Sequence, residues 1–137
     1  MTSSKLKNLS MIGQLKPEAP DVNERAGLLR SAIERLQDAR IPSLSLVSRF
    51  DLAYNAAHAA ALAALRAHGY RSENRFIVFQ CLEHTVGFTA EQWRLLDQAH
   101  RKRNLAEYEG DLDVTSGFVD ELIEQIALLI GAVEKLP

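Results

Sequence analysis

The sequence predicts an all-α, up-and-down four- or five-helix bundle, and three observations carry that reading. Apolar residues recur at alternating steps of three and four over long segments, the period of a helix with one buried face. Polar capping residues stand where those segments begin, and glycines stand where several of them end. The one stretch with strand character has no second strand to pair with, and a lone strand leaves its backbone unsatisfied.

Residues 1–20 contain Pro17 and Pro20 and form an N-terminal arm. Leu6, Leu9 and Ile12 give it one amphipathic turn or two, docked on the bundle or on a partner, and the prolines end any helix begun there. Residues 21–137 make a single helical-bundle domain. Asp21 and Glu24 have capping-box spacing, and Val22, Ala26, Leu29, Ile33 and Leu36 supply the stripe of a first helix that closes before Pro42. A second helix fits Ser43 to His68, with Gly69 as its left-handed stop. Its nine alanines within residues 51–70 and its apolar groups all round suit a central helix with close neighbours. Residues 73–86 hold Phe76, Ile77, Val78 and Phe79, good strand formers, but the missing partner strand assigns them to a short helix running through Cys81 to His84. Thr89 and Gln92 open a fourth helix that reaches Tyr108 or Glu109 and stops at Gly110. A last helix starts near Thr115 with Phe118, Leu122, Ile126, Leu129 and Val133 along its apolar face.

Composition removes several function classes. With 137 residues, 47% hydrophobic and 25% charged, the chain matches ordinary globular proteins and not disordered or low-complexity ones. The net charge of −2, from 16 basic and 18 acidic residues, provides no global field for nucleic acid or anionic lipid. A single cysteine excludes both a disulfide framework and a cysteine-built zinc site. The N-terminus lacks the apolar core of a secretory signal, and the charge-free run Leu52–Leu65 is too short and polar to span a bilayer. A cytoplasmic protein without a membrane partner is expected.

Most familiar chemistry is missing. His58, His68, His84 and His100 never occur at a ligand spacing, and Asp97 with His100 makes only one of the two motifs a di-metal bundle requires, so no metal and no cofactor is expected. The glycines stand alone, which excludes a phosphate loop. Ser43, Ser45 and Ser48 suit helix entry, and Cys81 in its apolar surroundings suits an inert buried thiol.

The segment Asp97–Gly110 departs from a plain bundle. On a helical projection Leu95, Leu96, Ala99 and Ala106 form the apolar arc with Trp93 at its edge, and Arg103 falls near the middle of that arc. His100, Asn104 and Tyr108 follow one another by fours along its flank, and Glu107 stands one turn from Arg103. Burying an unpaired arginine costs several kcal/mol. Either Arg103 pairs with Glu107 or a carboxylate of a neighbouring helix, or it stands at a cleft where its guanidinium binds phosphate. Arg101, Lys102 and Arg103 together form a short cationic run that is usually a solvated face.

The string RKRNLAEYEG, placed after the alanine-rich YNAAHAAALAALRAHGY, resembles the HEPN domain superfamily of small prokaryotic helical bundles over roughly residues 22–136. The resemblance implies four or five helices and a homodimer whose motif helices flank a shared cleft. It also implies that nuclease members cleave RNA without metal through an Arg and a His, and that some are toxins paired with nucleotidyltransferase antitoxins. Arg103 matches the motif arginine and Asn104 its polar position, whereas Tyr108 replaces the histidine. A tyrosine with a pKa near 10 is a poor general base at neutral pH. The expectation is therefore a homodimer that binds RNA or a nucleotide phosphate through Arg103, Asn104, Tyr108, Lys102, His100 and Tyr54, with weak or no ribonuclease activity. Two alternatives stand beside it. One is an interaction module, toxin–antitoxin-like, that pairs with a nucleotidyltransferase or another protein and uses Arg103 as a structural ion pair. The other is an active metal-independent ribonuclease in which Arg103 with Tyr108 or His100 is catalytic.

Overall fold

The alanine-rich segment forms the longest helix, and the other elements are arranged round it. In the computed structural model, which describes residues 2–137, the elements run α1 (Thr2–Met11), β1 (Lys16–Pro17), α2 (Val22–Ala39), α3 (Leu46–Ala67), β2 (Tyr70–Arg71), α4 (Arg75–Gln80), α5 (Leu82–Thr85), α6 (Ala90–Glu109) and α7 (Ser116–Glu134). The fold is an all-α bundle in which α3 packs against α2, α4, α5, α6 and α7. Ala53, Ala56, Ala57, Ala60, Ala61, Ala63 and Ala64 are all buried. Small side chains let the backbones of α2 and α7 approach α3 closely, and this is the physical use of the alanine run.

The capping signals set the helix limits. Asp21 accepts from the backbone N–H of Asn23 and Glu24, and Ser45 from that of Ser48. Thr89 and Gln92 make a reciprocal capping box, and Gly110 ends α6 at φ +74°. Gly69 adopts φ +86° just past α3, a region where a Cβ would clash with its own backbone. Residues 75–85 are helical, in two short pieces joined at Cys81.

Three details differ from the sequence expectation. Val22 is 80% exposed, whereas Leu36 of the same stripe is buried with Ala32 and Ala39, and Leu29 and Ile33 pack partly buried on the core. A helix tilts along its length relative to the core, so its first turn clears it. The N-terminal arm forms a ten-residue helix, α1, that stops near Gly13 (φ +81°) and not at the prolines. Leu6 and Leu15 from this arm are buried in the common core, and β1 pairs antiparallel with β2.

A buried arginine fastens the arm. Arg66, only 1% exposed, donates through Nε to Glu24 Oε1, through Nη1 to the Glu18 carbonyl (2.9 Å) and through Nη2 to the Ala19 carbonyl (2.7 Å). Arg71 adds bonds to Glu18 Oε2 (3.2 Å) and Glu24 Oε2 (2.6 Å). The hydrogen bond from Arg66 holds the Glu24 carboxyl below the usual carboxylate range despite the opposing effect of burial, and the charge of Arg71 adds to it.

Candidate functional site

Tyr54 organises the polar centre of the molecule. It lies on α3, fully buried, stacked on Phe50 one turn earlier (6.4 Å, 11°) and met edge-on by Phe79 of α4 (6.4 Å). A buried phenol needs partners for its hydroxyl. Here Arg75 Nη1 donates to Tyr54 Oη at 2.9 Å, and His100 Nδ1 lies 2.9 Å from the same oxygen. With Arg75 as donor, the phenolic proton points to Nδ1 of a neutral imidazole whose remaining proton sits on Nε2. The Asn104 amide lies 3.3 Å from that Nε2, and it can bond the Nε2–H only through its oxygen.

The charge around this tyrosine is cationic. The Arg75 guanidinium carbon lies 5.4 Å from the Tyr54 ring centre and that of Arg103 lies 5.2 Å from it, both in cation–π range. Arg103 is one-third exposed, with Nη1 3.6 Å from Glu107 and Nε 4.0 Å from Asp51, distances of loose ion pairs without a hydrogen bond. No carboxylate among the described residues lies within ion-pair distance of Arg75. Burial lowers the pKa of His100 below the usual histidine value, opposed by Asp97 and aided by Arg75 and Arg103. His58, one turn beyond Tyr54 and edge-on to Phe79, is pushed down to about 4, first by burial and then by Arg75 and His100. Both rings are neutral at pH 7, so the positive charge here belongs to two guanidinium groups. Beside Arg103 opens a cleft of about 350 Å³ lined by Val47, Phe50, Asp51, Ala106 and Leu112 among others.

The structure brings together four of the residues singled out from the sequence: Tyr54, His100, Arg103 and Asn104. It separates the other two. Lys102 turns to the segment between α6 and α7, where Nζ donates to the Asp113 carbonyl (3.1 Å), and rests over the ring of Phe118 on α7. Tyr108 is 92% exposed, and its hydroxyl bonds to no described residue, because five helical residues after Arg103 place it well round the helix. Within one protomer Tyr108 therefore does not stand beside Arg103. Asp97 is taken by Arg101, which approaches it through Nε and Nη2 at 3.1 Å. Cys81 is buried, and burial raises its thiol to about 11, which disfavours the nucleophilic thiolate.

Arg75 was not distinguished by sequence reasoning. A faint signal exists: it occupies the first turn of α4, after the N-cap Asn74, where the helix dipole disfavours a cation. A cation kept there has a reason outside its own helix, and the reason is the Tyr54 hydroxyl.

Chemically, the cluster sets two guanidinium groups, donors of the kind that pair with anions, round one phenol beside a neutral imidazole. Proton abstraction by His100 first requires it to leave Tyr54, since the lone pair of the neutral ring lies on Nδ1 and is taken by the phenol. Comparison with protein-family models finds no match, and neither the curated proteins nor the solved structures include a match to this chain.

Proposed function

We propose that this chain is a HEPN-like, homodimeric bundle that binds RNA or a nucleotide through its phosphate, with weak or no ribonuclease activity. The observation that carries the reading is the pair of guanidinium groups, Arg75 from α4 and Arg103 from α6, held against one buried tyrosine. Two elements distant in sequence thus present cations at one place, and one of those cations has no carboxylate of its own. Planar guanidinium groups match phosphate bidentately, which is their advantage over lysine. The low expected nuclease activity follows from the Tyr54 hydroxyl occupying the Nδ1 lone pair of His100 and from Tyr108 standing apart from Arg103.

The test is binding of a labelled single-stranded RNA by anisotropy. Arg103→Ala and Arg75→Ala are each expected to weaken binding roughly 10- to 100-fold, the loss of a hydrogen bond to a charged group. Wild-type affinity is expected to fall as salt rises. Binding that ignores both substitutions and the salt concentration overturns the reading. Robust RNA cleavage that disappears in Arg103→Ala supports the active ribonuclease instead.

The interaction-module reading retains one specific support, the approach of Asp51 and Glu107 to Arg103. On that reading Arg103→Ala lowers the unfolding temperature and leaves RNA affinity unchanged, while a nucleotidyltransferase-like or other protein docks on the surface.

A further inference from the structure

Next to Arg75 on α4 stands Phe76, which keeps 39% of its surface exposed while Ile77, Val78 and Phe79 are buried. Its ring is nonetheless held in place. It meets Trp93 of α6 edge to face at 5.8 Å and 79°, and Trp93 is itself buried and anchored by Nε1 donating to Glu83 Oε1 at 2.7 Å. On α6, Trp93, His100 and Asn104 follow at steps of seven and four and so share one face. The α4–α6 seam therefore carries an aromatic end, Phe76 on Trp93, and a cationic end, Arg75 with Tyr54 and His100. Along α6 these ends are two helical turns apart, about 10 Å, the length of about three stacked nucleotides at ~3.4 Å each.

We propose that Phe76 is a stacking platform for an unpaired nucleobase, with phosphates further along the same strand resting on Arg75 and Arg103, so that the ligand is single-stranded RNA and neither a free nucleotide nor a duplex. This rests on the phosphate-binding reading of the same cluster and adds the class of ligand. Aromatic faces accept any base that has left its own stack, and guanidinium groups beside them track the backbone. Bases inside a duplex are already stacked and offer Phe76 no face. Phenylalanine makes no hydrogen bonds, so the platform selects for an accessible base and not for its identity. A rigid ring loses little freedom on binding, and the contact with Trp93 supplies that rigidity.

The sole tryptophan of the chain is the one against Phe76, so its fluorescence reports occupancy. Titrations would use a single-stranded oligoribonucleotide, the same sequence as a duplex, a nucleoside monophosphate and inorganic phosphate. The single strand is expected to change Trp93 emission, with the duplex and the mononucleotide bound more weakly and phosphate acting as a competitor. Phe76→Leu is expected to weaken the single strand by roughly 5- to 150-fold and to leave inorganic phosphate binding intact, whereas Phe76→Tyr retains affinity. If Phe76→Leu binds the single strand like wild type while Arg103→Ala does not, the platform is overturned and the phosphate site survives. Equal affinity for single strand and duplex overturns it as well. A Phe76→Leu protein that loses self-association but keeps RNA affinity assigns the ring to protein contact and also overturns it. Absence of binding by the wild-type chain to all four ligands removes the phosphate site itself and the platform with it.

Discussion

At the scale of single residues, the placement of Tyr54 and His58 on the same face of α3 ties the candidate site to stability. The Tyr54 hydroxyl joins α3, α4 and α6 through Arg75 and His100. Removing it by Tyr54→Phe leaves a half-buried guanidinium and an imidazole short of a partner, a loss of about 1–3 kcal/mol. Histidine 58 gives a pH dependence with a definite sign. Its pKa falls from an ordinary 6.5 to about 4 in the folded chain, so below 6.5 the unfolded chain takes up a proton that the folded one does not. Folding stability is full above pH 6.5 and falls as the pH drops to about 4, by up to about 3 kcal/mol. Below that both states are protonated and this contribution is constant. Denaturant titrations between pH 7 and 4 check it: His58→Leu is expected to flatten the profile in that window, and an unchanged slope assigns the acid sensitivity elsewhere. Glu24 acts in the same direction at lower pH, since its depressed pKa contributes stability present above about 4.5 and lost as the pH falls through the folded value.

Among the elements, the N-terminal arm is tied to the bundle, and Arg66 makes much of the tie. Its guanidinium is buried and reaches Glu24 of α2 together with the Glu18 and Ala19 carbonyls of the arm. Truncation strands those acceptors, so Arg66→Ala is expected to cost about 3–5 kcal/mol, measured as a lowered denaturant midpoint. Replacing Leu6, buried on α1, by alanine is expected to cost about 2–5 kcal/mol in the same measurement. An arm that contributes nothing would leave both midpoints at the wild-type value. Helix α6 behaves differently along its length: Trp93, Leu96, Asp97 and Ala99 are buried, whereas Leu105 and Tyr108 in its second half are exposed. That gradient explains why a projection of the sequence overstated the burial around Arg103. The apolar arc of α6 is covered where α3, α4, α5 and α7 reach it, mainly along its first half.

For the whole molecule, a net charge of −2 coexists with a local pair of cations that has one free member. The opposing carboxylates are distributed elsewhere, at Glu18 and Glu24 around Arg66 and at Asp97 on Arg101. Among the described residues no helix is long and apolar enough to cross a membrane. The half-exposed end of α6 offers surface for a second copy, and light scattering is expected to give twice the 15.3 kDa chain mass. A monomer at concentrations that bind RNA would confine the site to the α3–α4–α6 cluster of one chain.

Much of the architecture was legible because its determinants are neighbours in the chain. The stripe of α7, the capping box at Thr89 and Gln92, and the glycines at 69 and 110 are local patterns, each decided by residues within one or two turns. The short helices over 75–85 followed from excluding a lone strand. The sequence by itself thus determined the fold class, the limits of the long helices and an apolar setting for Cys81. Tertiary structure alone decided that Arg75 meets Tyr54 and His100, partners 21 and 46 residues from that tyrosine in the chain, that Tyr108 stands away from Arg103, and that Arg66 is the buried cation. No periodicity encodes such meetings. They arise because a buried hydroxyl or guanidinium must find partners wherever the packed helices bring them.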